Sequence, residues 1–275
     1  MLKNQRSARL LSLLKVSLAL YVVSLLTPIC SNAQDQTGGS NGTFTLQAEV
    51  SHDARLPAVP TNLRAGKRFD PDQLKGLTPN NNWYQLPNWL VGRWHGDTVT
   101  VTSMQDCRTG RGEREHIERR EVVDTIYGHQ RDRNGGTWQY LEVPRVVKMS
   151  VDNGVCYLRC LREDVLQSND SSLVLKLLNN QITLGRGNRI VESDQVQQFL
   201  TTLPVEAGLV QTESSLKNFD ANGNPLQIET IQKVLQRVGP YEEQNTMDDL
   251  NLKQLFVEFL MKIGRPDLLP AVPGS

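Results

Sequence analysis

Four things are scarce in this 275-residue chain, and each scarcity removes a class of function. Histidine occurs only at positions 52, 95, 116 and 129, so haem ligation from a late strand has no candidate residue. Aromatic residues make up 6% of the chain, and there is no Gly-x-Ser-x-Gly elbow, no phosphate-binding glycine loop and no His-Glu-x-x-His helix. No nucleophile can therefore be named, and the sequence reads more as a non-enzyme than as an enzyme. No catalytic residue, metal ligand or cofactor site stands out. His95 and His116 could meet on adjacent strands, but no further ligand lies at a recognisable spacing. Glu192 and Asp194 are unremarkable among 30 carboxylates.

Net charge is also absent, with 30 basic against 30 acidic residues, yet the balance is uneven along the chain. Lys3, Arg6, Arg9 and Lys15 precede an apolar run from Val16 to Leu26, and Ser31-Asn32-Ala33 follows. Basic, apolar and small in that order is the pattern of a signal peptide over residues 1–33 with cleavage after Ala33. Thr27 and Pro28 end the apolar run short of the roughly 20 residues a spanning helix needs. Ile29 before Cys30 is too bulky for a lipidation site. Export to a periplasmic or extracellular space follows, with no membrane span in the mature chain. Removing the peptide leaves 26 basic and 30 acidic residues, which gives phosphate backbones little to attract, so nucleic acid is not an expected partner.

Cysteine is sparse too. Cys107, Cys156 and Cys160 remain after cleavage, an odd number. On one strand Cys156 and Cys160 would stand about 13 Å apart, beyond disulfide reach, so any bridge joins Cys107 to Cys156 or Cys160. Buried, unreacted thiols are the alternative.

What the chain does contain is β texture. Residues 34–82 are rich in Gly, Asn, Thr, Pro and charge and read as a flexible leader, with one short strand at Thr43–Val50. Residues 83–240 change to short β-branched segments separated by turns. Thr98–Thr102 alternates at period two, as does the even set from Leu226 to Val238. Asp152-Asn153-Gly154 and Asp220-Ala221-Asn222-Gly223 are hairpin turns; the second lacks the distal glutamate of a calcium-binding loop, and Pro225 takes its sixth place. Strands are expected near 90–103, 115–127, 137–150, 155–165, 172–178, 181–192, 207–219 and 225–238. Such a run without intervening helices predicts a mainly β fold, a closed or nearly closed antiparallel barrel, with a β-sandwich as alternative. Over residues 241–275, apolar positions 252, 255, 256, 259, 260 and 263 form one face of a helix from Met247 to Ile263. Thr246 is its expected N-cap and Gly264 its stop, and it should pack on the outside of the barrel.

Gly92-Arg93-Trp94-His95-Gly96 opens the first long strand, about eight strands follow, and one amphipathic helix comes last. This order resembles lipocalin-like (calycin) barrels, and the Gly-x-Trp-x-Gly form is also similar to the opening of nitrobindin-type haem barrels. The resemblance implies that Gly92 and Trp94 close one end of the barrel and that Arg237, near the end of the last strand, stacks over the indole. Arg237 shares the odd set with Ile231, Lys233 and Leu235, opposite Val234 and Val238, and so is expected to approach from outside the lumen.

Arginines crowd the stretch from Arg108 to Arg133, interleaved with glutamates. They read as a solvated hairpin face, but Ile117, Arg119, Glu121 and Val123 share one side of a strand, so some charge must turn inward. The functional expectation is a small apolar or amphipathic ligand held in the barrel by residues the sequence does not identify. The alternative is a structural or interaction protein of the cell envelope whose barrel is filled by side chains. An interior below about 300 Å³ would favour the second.

Overall fold

The computed structural model describes residues 51–74, 80–151 and 154–270. The expected signal peptide, the expected strand at Thr43–Val50 and the turn residues at 152 and 153 lie outside them. The strands are β1 Asn80–Leu86, β2 Gly92–Asp106, β3 Gly112–Tyr127, β4 Gln130–Arg131, β5 Thr137–Val143, β6 Arg145–Val151, β7 Gly154–Ser168, β8 Leu173–Leu184, β9 Ile190–Glu206, β10 Leu209–Phe219, β11 Pro225–Gly239, β12 Thr246–Met247 and β13 Leu250–Asn251, followed by helix α1, Leu252–Lys262. Among the described residues, no helix is long and apolar enough to cross a membrane.

Eight strands form one antiparallel sheet in the order β3-β2-β11-β10-β9-β8-β7-β6. The sheet curls into an open half-barrel: β3 and β6 remain its two edges, so the closure expected from the strand count does not occur. The segment expected to run unbroken over 137–150 divides at Pro144, which has no N–H to give a ladder. Its first half, β5, leaves to form a small sheet in the order β1-β5-β4. Alternation gives this small sheet two working faces. Tyr84, Leu86 and Leu141 face the concave side of the half-barrel, where Leu90, Trp94, Leu173, Leu175, Leu200 and Leu235 are buried. Trp83, Trp138 and Tyr140 face the other way and receive Leu252, Phe256 and Leu260 of α1. The helix thus covers the small sheet, and not the outside of the barrel where the sequence placed its apolar face.

That helix begins later than the sequence suggests. Asn251 is the N-cap, its side chain accepting from the Gln254 N–H, while Thr246 and Asp248 belong to the β12–β13 hairpin, with Asp248 at φ 50°. The stop is as expected, with Gly264 at φ 71°.

Two further strands depart from the expected pattern. Asn179-Asn180-Gln181 has the composition of a turn yet lies inside β8, and the chain reverses instead at Gly185–Arg189. β9 carries Gln195, Gln197 and Gln198, all buried, and its mixture of polar residues on both faces hides the alternation that reveals a strand.

Residues 51–74 do not hang free. They cross the convex face of the large sheet as a strap, with Val59, Leu63, Phe69 and Leu74 packed on Ile182, Leu184 and Ile190. The Leu56 N–H donates to the Gly223 carbonyl, the Val59 N–H to Ala221 and the Phe69 N–H to Asn188. Gly223 sits at φ 81°, and a Cβ there would stand 1.8 Å from the Leu56 carbonyl oxygen, so the β10–β11 turn needs glycine both for its backbone and for the passage of the strap. Four well-spaced apolar anchors suffice to dock a segment whose overall composition is polar.

Candidate functional site

Gly92, Trp94 and Arg237 converge at one end of the half-barrel. Trp94 is 1% exposed, its indole N–H donates to the Leu90 carbonyl at 2.7 Å, and the Arg237 guanidinium carbon stands 4.9 Å from the ring centroid. Arg237 also donates to the Trp89 carbonyl. Gly92 is at φ 130°, and a Cβ would stand 2.8 Å from the Gly239 carbonyl oxygen, so the close approach of β2 to β11 depends on it.

The approach is from the concave side, not from outside. Glu229, Ile231, Lys233 and Leu235 are buried, whereas Val234 and Val238 are more than half exposed. The faces of β11 are inverted relative to simple hydrophobicity because its inward charges have partners on β3: Lys233 donates to Glu121 at 2.9 Å, and Arg119 stands 3.9 Å from Glu229. The inward turn of charge that the parity of β3 required is therefore met by opposing charge on β11.

The concave interior is mainly apolar, with a few polar and charged groups set among its leucines. The space between the two sheets is about 80 Å³ and is lined by Tyr84, Tyr127, Arg145, Glu163 and Lys233 together with leucines. Arg145 donates to Glu163 at 2.6 Å, and the two side chains are only 18% and 5% exposed. Burial pushes the Tyr127 phenol up to about 12, so it stays protonated at neutral pH.

The histidines are scattered. His95 contacts Asp124 at 2.7 Å on the surface and His116 lies 3.6 Å from Glu118. His129 is buried beside Trp83, its Nδ1 accepting from the Tyr140 N–H, and burial lowers its pKa to about 4. His52 pins the strap, with Nε2 2.8 Å from Ser215 Oγ and Nδ1 3.1 Å from Gln197 Oε1. Among the described residues no group of three or more His, Cys, Asp and Glu side chains is placed to hold a metal ion. Asp194 is pushed up to about 7 by burial, with Glu192 adding to the effect.

Cys107, Cys156 and Cys160 are free thiols, so neither Cys107 pairing forms. Cys156 and Cys160 are buried on β7, and burial raises Cys160 to about 11, which keeps it protonated and unreactive.

A second space lies on the convex face, beneath the strap. It is about 460 Å³ and is walled by Val59, Pro60, Leu161 and Leu178, with Arg159 and Asn180 among its lining residues. The sheet register places Arg159 of β7 opposite Asn180 of β8, and Asn180 opposite Gln195 of β9, giving a polar row across three strands. Gln195 donates to the Pro57 carbonyl at 2.8 Å and so ties the strap over this row. One residue pair further along, Gln197 donates to Asp53 at 2.6 Å. The sequence does signal Arg159 as a lone charge between Leu158 and Cys160, but its neighbours in the row come from strands that sequence pattern alone does not pair.

No family model matches the chain, and neither a curated protein nor a solved structure is similar to it.

Proposed function

We propose that the chain is an exported small-molecule-binding protein of calycin-like architecture whose ligand lies beneath the strap and not in the barrel interior. The observation that carries this reading is volume joined to chemistry. Ligand sites span roughly 300–1,000 Å³ and combine apolar walls with a few convergent polar groups. The convex space, at about 460 Å³, meets both conditions. The concave one, at about 80 Å³, is too small for more than a few waters. The Gly92, Trp94 and Arg237 cluster then serves as the structural closure of one end of the fold. Its part is to hold β2 against β11, not to contact ligand.

Native mass spectrometry of the protein purified from its own source tests the reading. The expected result is a non-covalent small-molecule adduct that Leu178→Trp, by filling the convex space, abolishes. An adduct-free mass, or an adduct retained by Leu178→Trp, contradicts it. The second reading, a structural or interaction protein of the cell envelope with no ligand, is favoured by the packed concave interior and predicts the adduct-free result.

A further inference from the structure

Arg159 is 7% exposed, its Nε has no hydrogen-bond partner, and no carboxylate among the described residues pairs with it. Three other charged residues with buried side chains on this sheet face an opposite charge: Glu163 has Arg145, Lys233 has Glu121 and Glu229 has Arg119. A buried guanidinium without a counter-charge is costly, and desolvation pushes its pKa down from the ordinary arginine value. Two acceptors in the same space are also without partners, Asn180 Oδ1 and Gln73 Oε1.

We propose that the pocket beneath the strap binds the polar end of an amphipathic monocarboxylic acid, Arg159 taking the carboxylate and Asn180 and Gln73 taking a hydroxyl or amide N–H beside it. This rests on the reading of the convex space as the ligand seat. A guanidinium matches a carboxylate through two parallel N–H···O bonds. One guanidinium, with no lysine in the lining, balances one negative charge and leaves a phosphate dianion half neutralised. The unpartnered acceptors ask for donors on the ligand, which a simple fatty acid lacks and a hydroxy acid or N-acyl amino acid supplies. The acyl portion then lies against Leu161, Leu178, Val59 and Pro60.

Isothermal titration of the purified protein with four probes of one tail length tests this: N-decanoylglycine, its methyl ester, decanoic acid and decyl phosphate. N-decanoylglycine is expected to bind tightest, with the ester about 10- to 100-fold weaker, the range that charge-assisted hydrogen bonds span. Arg159→Gln should lose a similar factor toward the acid and little toward the ester. Arg159→Met should melt no lower than the parent in the absence of ligand, because it removes a buried charge that no carboxylate among the described residues pairs with. Equal binding of acid and ester, or tighter binding of decyl phosphate, overturns the carboxylate assignment while leaving the seat in place. Failure of all four probes to bind the parent protein overturns the carboxylate assignment and the seat together. A marked fall in melting temperature for Arg159→Met would mean that the guanidinium has a structural partner, and would also overturn it.

Discussion

The two faces of the large sheet bury charge in opposite ways. On the concave face Arg145 meets Glu163 and Lys233 meets Glu121, so each buried charge is answered by another strand. On the convex face Arg159 is also buried, and among the described residues no carboxylate answers it. Paired charge fixes which strands lie together and leaves little room, whereas the unpaired guanidinium lies beside the larger space and under a segment that only partly fills it. The difference teaches that charge on the concave face is used to join strands, while the strapped convex face keeps a buried charge with no carboxylate paired to it among the described residues.

Substitutions sharpen the contrast. Trp94→Ala removes the largest fully buried side chain of the concave face and should cost about 4 kcal/mol in urea unfolding. A double-mutant cycle with Arg237→Ala should return a coupling of about 1 kcal/mol, and a coupling of zero would remove the stacking from the account. Glu163→Gln removes the carboxylate to which the buried Arg145 donates and should cost about 3 kcal/mol. Equal sensitivity at Glu163 and Arg159 would erase the distinction between the faces.

Acid offers a third probe, set between the small sheet and the helix. His129 is held neutral by burial, with a folded pKa of about 4 against 6.5 unfolded. Because the unfolded chain takes up the proton first, stability is complete above pH 6.5 and falls as the pH drops toward 4, by about 3 kcal/mol in all. Unfolding midpoints measured from pH 7 to pH 4 should show this loss in the parent and a smaller one in His129→Asn. A pH-independent difference between the two proteins would contradict it.

Much of the fold was legible in the sequence, and the reasons it stops are physical. The β10–β11 hairpin and the end of α1 are written in local turn chemistry, at Gly223 and Gly264. β9 was not legible, since Gln195 and Gln197 turn outward to hold the strap while Gln198 turns inward to Ser214, and a strand polar on both sides loses its period. The inward face of β11 was misread because Lys233 and Glu229 look solvated until their partners on β3 are known. Gly92, Trp94 and Arg237 could be gathered from a motif and a strand count. The row of Arg159, Asn180 and Gln195 depends on the register of three strands, which no single segment encodes.

Everything assigned to the convex face depends on the strap lying where it does. Amide hydrogen exchange, read residue by residue near neutral pH, tests that most directly. The Leu56, Val59 and Phe69 amides donate to Gly223, Ala221 and Asn188 and should exchange orders of magnitude more slowly than an unstructured chain, with Gln197→Ala weakening the protection at Leu56 and Val59. Exchange of all three at the unstructured rate would mean that residues 51–74 do not cover the sheet, and the pocket beneath them would go with it.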